Sequence, residues 1–339
     1  MQVQVHRAQP SGLHAGPTRS TVKVESAIFE LVAPELVETE ALLVQSLGSM
    51  VPAVAEIGRY LVGAGGKRLR PLVTALGARA AGHRGPVARM MCAGELVHLG
   101  SLLHDDVVDE GQERRGRPAA QRVYGNAAVI LTGDFCVARG LTLAAEEAGL
   151  TASIELARTV AAMSEGEVSQ LLNMGTFNIS VAAYYEVIDK KSASLISWCA
   201  AAGARARGDE VAAAALARFG REVGSAFQIA DDVLDYVGET RLTGKAGGQD
   251  LTQRKPTLPL ILAMERSPAL RERLLEGPPS AEELPALLDA VRATGAPADA
   301  LAVARERVGV GLAALDKLPP SPALDALRLL GHHLVERSQ

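Results

Sequence analysis

Two clusters of aspartate residues offer the clearest chemistry in this sequence of 339 residues. The first aspartate cluster comprises Asp105, Asp106 and Asp109, and the second comprises Asp231, Asp232 and Asp235. In a helix, the first and last aspartates of each cluster lie one turn apart on one face, where their negative charges repel each other. A divalent cation relieves that repulsion, and hard carboxylate oxygens suit Mg²⁺. Two such faces confronting each other across a helical core would bind several Mg²⁺ ions and, through them, a diphosphate.

The alternative is that both clusters are solvated acidic surfaces, as most runs of Asp and Glu are. Their flanks argue against this, because apolar residues surround Asp105 in the segment 102–108 and the segment 227–230 precedes Asp231. A solvated face is expected to carry Lys or Arg one turn away, and neither cluster does. The occurrence of the same pattern twice in one chain therefore favours a phosphate-handling enzyme site.

Basic residues supply the positive charge that such a site needs. Lys67 and Arg70 are three residues apart and follow two glycines, so two cations and backbone amides can converge on one anion. Arg114 and Arg115 follow the first aspartate cluster; alone, such a pair would be typical of a surface made for solubility. Further cations occur at Lys190, Lys191, Lys245 and Lys255, with Lys245 in a glycine-rich loop. Cations on both sides of the carboxylates indicate two phosphorylated substrates.

These motifs, in this order and spacing, resemble the trans-isoprenyl diphosphate synthases, also called polyprenyl synthetases, and most of all their long-chain, octaprenyl-forming type. The resemblance covers the chain from about residue 60 to 265. Besides the aspartate clusters it rests on Gly65–Pro71, Gly125-Asn126, Gly133-Asp134, Glu165–Glu167 and Lys255–Leu260. One departure is Gly248-Gln249-Asp250, where many relatives carry Gly-Asp-Asp.

The resemblance implies roles for individual residues. Three Mg²⁺ ions would be bound by Asp105, Asp109 and Asp231, and Asp106, Asp232 and Asp235 would support them through water or outer contacts. These six aspartates and Lys191 form the expected catalytic set. The allylic diphosphate would contact Arg114, Lys191, Ser192, Gln228, Lys245 and Lys255. Isopentenyl diphosphate would occupy a pocket formed by Lys67, Arg70, His98 and Arg115. A lone histidine on an apolar helix is usually a core residue, but His98 lies two turns before Asp105 on the same face.

The resemblance also implies the reaction. Mg²⁺ would assist ionisation of dimethylallyl, geranyl or farnesyl diphosphate, and isopentenyl diphosphate would attack the allylic cation to give an all-trans polyprenyl diphosphate. Chain length would be set one turn before Asp105, where Gly100 and Ser101 are small and short-chain relatives carry an aromatic residue. Deeper in the expected tunnel, only Met163 offers a partial floor. We therefore predict a medium to long product, hexaprenyl to decaprenyl and of the quinone side-chain type; a geranylgeranyl or farnesyl product is the alternative.

Two other functions are compatible with parts of the pattern. A class I terpene cyclase also uses an aspartate-rich helix, but it needs an aromatic pocket, and aromatic residues make up only 3% of this chain. A noncatalytic subunit that shapes the product of a synthase would be expected to lose aspartates or arginines, and this chain keeps both clusters. Adding labelled isopentenyl diphosphate and an allylic primer would distinguish all three.

Composition and charge limit the possible folds and partners. A chain with 48% hydrophobic residues but few aromatic ones must build its core from Ala, Leu and Val, which is typical of closely packed helices. The formal net charge of −4 argues against a nucleic-acid partner. Cys92, Cys136 and Cys199 are isolated and indicate a reducing cytoplasm. We find no sequence typical of a secretory signal or a transmembrane segment, and the resemblance implies a homodimer.

We predict an all-α fold, a helical bundle of the isoprenoid synthase type with a central apolar tunnel, without competing strand patterns. It would form one domain over residues 26–339, preceded by a disordered tail at 1–25. The predicted helices span 26–48, 52–63, 69–81, 86–112, 126–148, 151–173, 181–206, 209–237, 256–265, 281–293, 297–317 and 321–336. Both aspartate clusters would then lie near the carboxyl ends of long helices, at the mouth of the bundle.

Overall fold

The computed structural model describes residues 27–175, 179–238 and 247–336. After a helical turn at 27–30, the helices are α1 Ala33–Ser46, α2 Pro52–Val62, α3 Leu69–Ala80, α4 Ala88–Val108, α5 Ala120–Tyr124, α6 Asn126–Asn173, α7 Val181–Ile188, α8 Ser194–Ala206, α9 Glu210–Val237, α10 Gln249–Thr252, α11 Leu258–Arg266, α12 Pro268–Glu276, α13 Leu284–Ala293, α14 Ala296–Ala314 and α15 Pro322–Glu336. A π-helical turn, Asp189–Ala193, joins α7 to α8, and a 3₁₀ turn, Leu315–Lys317, follows α14. The predicted tail and the predicted site residue Lys245 lie outside the described residues.

The all-α prediction is confirmed, with local differences. An antiparallel hairpin of two strands, β1 Glu113–Arg114 and β2 Arg117–Pro118, follows the first aspartate cluster. The predicted helix 86–112 ends earlier, at Val108, and Asp109 closes it by donating its backbone N–H to the Asp105 carbonyl at 2.8 Å. The short helices α5, α10 and α12 were not predicted; α5 and α10 have only five and four residues, which is too few for a periodic pattern to be detected.

The long helix α6 is broken at the predicted position. Gly149 has φ 80° and ψ 178°, a conformation that favours glycine, and it divides the helix into two halves. Over part of its length α6 is also apolar enough to cross a membrane, and 39% of that stretch is buried in the protein. Core helices of globular proteins pass the same test, and α6 packs along α4.

Small residues let the central helices approach closely. A Cβ on Gly77 of α3 would lie 2.2 Å from the Ala200 carbonyl oxygen of α8, and a Cβ on Gly203 of α8 would lie 2.2 Å from the Ala78 Cβ of α3. Ten of the thirteen residues of α8 are buried, and half of those ten are Ala or Gly. Small side chains at a helix crossing let backbones meet, which explains how a chain poor in aromatic residues builds a dense core.

The main hydrophobic core joins α3, α4, α6, α8 and α9. Its largest fully buried side chains include Leu96, Leu99 and Leu103 of α4 and Phe219 of α9. The helices α11 to α14 pack around two smaller clusters near α9, whereas α15 packs on α3 and gives most of its buried residues to the main core. Because α8 packs against α4, α6 and α9, it holds these helices in one packed unit, and the aspartates at the carboxyl ends of α4 and α9 have fixed positions.

Candidate active site

A large cavity of about 760 Å³ opens between α3, α4, α6, the π-helical turn and α9. Of the predicted site residues, the cavity wall includes Lys67, Arg70, His98, Ser101, Asp105, Arg115, Lys191, Ser192, Gln228 and Asp231. These residues come from five separate segments of the chain, so the structure brings most of the predicted site together. A volume of this size is within the range of small-molecule sites.

The first aspartate cluster divides into an accessible and a buried part. Asp105 faces the cavity, and Asp109 is exposed at the end of α4. Burial raises the pKa of Asp105 to about 6, with Lys191 opposing that rise and Glu167 and Asp109 adding to it. Asp106 is only 3% exposed and accepts a hydrogen bond from Arg114 Nε. Arg114 therefore lies outside the cavity wall, bound to the helix that carries the metal-ligand candidates.

The second aspartate cluster is divided in the same way. Asp231 is exposed and faces the same cavity as Asp105. Asp235 turns away and accepts the backbone N–H groups of Gln249 and Asp250, at 3.1 and 2.8 Å. Asp235 therefore holds the start of α10 against α9, a role the sequence did not reveal.

A buried hydrogen-bond network lies behind Asp231. The hydroxyl of Ser192 donates to Gln228 Oε1 at 2.7 Å, and Gln228 Nε2 donates to Asp232 Oδ1 at 2.9 Å. The other Asp232 oxygen accepts the hydroxyl of Tyr184 at 2.7 Å. Burial raises the pKa of Asp232, although Lys255 and these donors oppose the rise. The network connects two residues of the cavity wall to one of the aspartates.

Lys255 faces this network from the opposite side. Its Nζ lies 3.7 Å from Asp250 Oδ1. Burial opposes the charged form of Lys255, but the carboxylates of Asp250, Asp232, Asp109 and Glu167 outweigh burial and raise its pKa. Lys255 is thus held as a cation among carboxylates, next to the large cavity rather than in its wall.

The π-helical turn places the lysines of the site. Lys191 pairs with Glu167 of α6, and Lys190 pairs with Glu165 at 3.2 Å and Glu186 at 3.1 Å. A π turn inserts one residue into the helical repeat, and such turns are frequent at functional sites. The insertion lets Lys191 and Ser192 both reach the cavity.

The predicted isopentenyl diphosphate pocket forms a cationic corner of the cavity. Lys67, Arg70, His98 and Arg115 all lie in its wall. Burial, together with the positive charge of Arg70 and Arg115, lowers the pKa of His98 well below its usual value, so the imidazole is neutral at pH 7. A neutral histidine can donate one hydrogen bond to a phosphate without adding charge.

Glu95 balances the charge of this corner. It is 3% exposed and accepts a hydrogen bond from Arg68 Nη1 at 3.1 Å. Arg68 also binds Glu40, so it is engaged by two carboxylates, whereas its neighbour Arg70 faces the cavity. Burial raises the pKa of Glu95, and the charges of Arg70 and Arg68 counteract that rise. Glu95 was not among the site residues predicted from the sequence, although a single Glu in the apolar run 90–103 was a detectable signal.

The structure separates the two predicted chain-length residues. Ser101 lies in the cavity wall, and its hydroxyl donates to the His98 carbonyl at 2.9 Å. Gly100 is buried against α6 instead, where an added Cβ would lie 2.8 Å from the Gly133 carbonyl oxygen. The assignment of Gly100 to the tunnel wall is therefore corrected, because adjacent helix residues point about 100° apart. Met163 lines the cavity as predicted.

The aspartates fit Mg²⁺ only together with a phosphate. Among the residues that the structure describes, no three His, Cys, Asp or Glu side chains lie close enough to hold a metal ion by themselves. Asp105 and Asp231 belong to different helices and face one cavity, and Asp109 is exposed one turn after Asp105. Mg²⁺ is commonly bound by one or two carboxylates plus substrate phosphates, and this arrangement suits that mode.

Comparisons with known proteins agree with this geometry. A family model described as polyprenyl synthetase matches residues 51–291. An octaprenyl diphosphate synthase from Haemophilus influenzae is 38% identical over 319 residues, covering 92% of this chain and 96% of the relative. A second octaprenyl diphosphate synthase, from Escherichia coli, is 36% identical over 319 residues and covers 92% of this chain and 98% of the relative.

A solved structure is similar over the same extent. The polyprenyl synthase from Caulobacter crescentus, crystallised in complex with calcium and isoprenyl diphosphate, superposes with a TM-score of 0.89 at 35% identity. The superposition covers 93% of this chain and 98% of that chain. The similarity therefore extends to nearly the whole described fold as well as to the motifs.

Proposed function

The chain belongs to the polyprenyl synthetase family, and from this premise we propose that it condenses isopentenyl diphosphate with an allylic diphosphate. It is a trans-prenyltransferase that makes a medium- to long-chain polyprenyl diphosphate. The observation that carries the finer proposal is one cavity whose wall contains an aspartate from each of two helices and a group of cationic residues. Two anionic substrates can occupy this cavity together.

The two diphosphates occupy different parts of the cavity in this proposal. Lys67, Arg70, His98 and Arg115 bind the diphosphate of isopentenyl diphosphate, because cationic and neutral donors meet there away from the aspartates. The allylic diphosphate lies between Asp105 and Asp231, in contact with Lys191, Ser192 and Gln228.

Two predicted allylic contacts, Arg114 and Lys255, stand apart from the cavity wall. Arg114 is paired with Asp106, and Lys255 is paired with Asp250, so each would reach the diphosphate only by exchanging or sharing its partner. Lys245 stays a prediction from the family resemblance alone. The allylic site therefore depends first on the residues that already face the cavity.

The reaction follows from this placement. The C–O bond of the allylic diphosphate breaks and leaves an allylic cation and diphosphate. The double bond of isopentenyl diphosphate attacks the cation, a new carbon–carbon bond forms, and a proton leaves to the departing diphosphate. The product is an allylic diphosphate one isoprene unit longer, so the cycle can repeat without a covalent enzyme intermediate.

The chain's own residues promote ionisation and protect the cation. Mg²⁺ bound by Asp105, Asp109 and Asp231, three ions in this proposal, supplies Lewis-acid stabilisation of the leaving diphosphate. Lys191 adds positive charge on the same side of the cavity. Apolar residues below the aspartates, among them Val160 and Met163, exclude water that would quench the cation.

We propose a product in the range from hexaprenyl to decaprenyl. Ser101 is the residue of α4 that lies in the wall one turn below Asp105, and it leaves the cavity open there. Val137 and Val160 add apolar side chains to the wall for a growing chain, and Phe227, an aromatic residue of the wall, lies on α9 next to Gln228 and not on the face of α4 below Asp105. A geranylgeranyl product is the second candidate. It would be favoured if a residue of a second chain closed the lower end of the cavity.

We propose further that the protein is a homodimer in the cytoplasm. Helix α6 leaves apolar side chains in solvent, with Leu131 65% and Leu172 74% exposed. Val168 and Leu171 are both exposed and part of the cavity wall, so a second copy seated on α6 would complete that wall. The three buried free cysteines agree with a reducing compartment. Light scattering coupled to size-exclusion chromatography tests the dimer, which Leu131→Glu should weaken.

The proposed function is tested by supplying the substrates separately and together. Purified protein with Mg²⁺ and farnesyl diphosphate alone should release no hydrocarbon, whereas addition of labelled isopentenyl diphosphate should give labelled, longer diphosphates. A terpene cyclase would consume the allylic diphosphate by itself. A noncatalytic subunit would leave both substrates unchanged.

A further inference from the structure

Tyr184 is a buried residue at the site with no role in the scheme above. It is 3% exposed, lies on α7 just before the π-helical turn, and directs its hydroxyl to Asp232 of α9. Its ring packs in the small cluster formed with Ile188, Ile229 and Val233. The hydroxyl is thus a single polar group placed by an apolar ring on one oxygen of a buried carboxylate.

Asp232 needs such donors. It is 4% exposed, and a buried carboxylate is costly unless hydrogen bonds and nearby cations compensate for the lost water. Tyr184 donates to one of its oxygens and Gln228 to the other. Because adjacent residues on a helix point about 100° apart, Asp232 faces this network while Asp231 faces the cavity.

Gln228 transmits this arrangement to the cavity. Its carbonyl oxygen accepts the Ser192 hydroxyl, and one of its amide N–H groups is taken by Asp232. An amide has two N–H groups, so the second remains for a ligand in the cavity that Gln228 lines. With both partners in place the amide has one orientation, with its nitrogen toward Asp232.

We propose that Tyr184 is a positioning residue, which holds Asp232 so that Asp232 and Ser192 fix the Gln228 amide with an N–H toward the allylic diphosphate. The proposal rests on the proposed function, and it adds a residue that the family motifs of the sequence did not include. If the Tyr184 hydroxyl is lost, Asp232 can rotate to seek another donor, and the orientation of Gln228 is no longer determined.

The chain offers a matched control for the test. Tyr236 is also fully buried, and its hydroxyl is 2.9 Å from the Thr257 hydroxyl, a neutral partner outside the network. Tyr184→Phe and Tyr236→Phe each remove one buried hydroxyl and keep the ring. Their effects on the thermal unfolding midpoint of the metal-free protein should therefore be similar, whereas their effects on the site should differ.

The first readout is binding without chemistry. Calorimetric titration with a nonreactive allylic thiodiphosphate and Mg²⁺ should give a dissociation constant roughly 10-fold higher in Tyr184→Phe than in the wild type, the effect of one lost or misdirected hydrogen bond. In steady-state kinetics the apparent KM for the allylic substrate should rise, while the KM for isopentenyl diphosphate stays within about twofold. Tyr236→Phe should stay within about twofold of the wild type in every binding constant.

The second readout tests whether Tyr184 acts on the ligand through Gln228. In a Gln228→Ala background, Tyr184→Phe should weaken analogue binding by no more than about twofold further, because the group that Tyr184 positions is already absent. An unchanged dissociation constant in Tyr184→Phe would overturn the inference, and so would a full additional loss in the Gln228→Ala background. If the wild type itself fails to elongate a primer, the proposed function fails; a normal wild type with an unaffected Tyr184→Phe variant refutes only this inference.

Discussion

Substitution of Ser101 by Phe should shorten the product while leaving the first condensation intact. Ser101 lies in the cavity wall four residues before Asp105, which is about 6 Å deeper along the axis of α4. A trans isoprene unit adds four carbon–carbon bonds of about 1.5 Å each and therefore about 5 Å of extended length. A ring at position 101 consequently meets the tail after little more than one unit.

The expected main product of Ser101→Phe is therefore near the two- to three-unit length, compared with six to ten units for the wild type. The metal-ligand candidates stay in place, so the rate of the first addition to a dimethylallyl primer should stay within about threefold. Reversed-phase chromatography of the dephosphorylated, labelled products measures both quantities. A folded, active variant with the wild-type distribution would refute the argument that the tail passes this face of α4.

Two controls separate length control from damage. Ser101→Ala removes the hydroxyl that donates to the His98 carbonyl but adds no bulk, so its product distribution should match that of the wild type. Gly100→Phe should behave differently, because even a Cβ there would lie 2.8 Å from the Gly133 carbonyl oxygen. It should lower the thermal unfolding midpoint and total activity instead of shortening the product.

Substitutions in the two diphosphate pockets and in the helix core have separate expected effects. Lys67→Ala should raise the apparent KM for isopentenyl diphosphate more than that for the allylic primer, and Lys191→Ala should do the reverse. Steady-state kinetics with each substrate varied in turn measures both KM values. The opposite pattern would show that the two diphosphate pockets have been assigned the wrong way round. Glu95→Gln should lower the free energy of unfolding by about 3 kcal/mol, because Arg68 would lose one of its buried carboxylate partners; an unchanged urea midpoint would contradict this. Gly77→Ala should also destabilise the protein, by about 1–3 kcal/mol in urea unfolding, because its Cβ would strike the backbone of α8, whereas helix propensity alone would give a gain of about 1 kcal/mol.

The sequence was informative about the site where charge and spacing are unusual. Paired aspartates in apolar runs indicated both helix faces, and the structure places Asp105 and Asp231 on one cavity. The rotation of a helix about its own axis was not readable from sequence, which is why Gly100 was assigned to the tunnel and faces α6 instead. Tyr184 was not recognised because a tyrosine in an apolar helix gives no sign of which buried acid it will reach.

The fold was predictable where the local sequence pattern is strong, and its short irregular elements were not. Helices with long apolar periodicity, and the break at Gly149, were found because glycine and 3.6-residue spacing are strong local signals. The hairpin 113–118 and the π-helical turn 189–193 were not found, since two-residue strands and a single inserted residue leave no periodicity. Both place basic residues of the site, so the least predictable elements are among those that position the substrates.

The most direct test of the central claim is Mg²⁺-dependent elongation by the wild type and by variants of each aspartate cluster. Purified protein, labelled isopentenyl diphosphate and an allylic primer should give polyprenyl diphosphates, and EDTA should abolish their formation. Asp105→Ala and Asp231→Ala should each lower turnover by about 100-fold or more, because each removes a ligand of the ions that stabilise the leaving diphosphate. Full turnover by either variant, or elongation that persists in EDTA, would contradict the two-cluster mechanism.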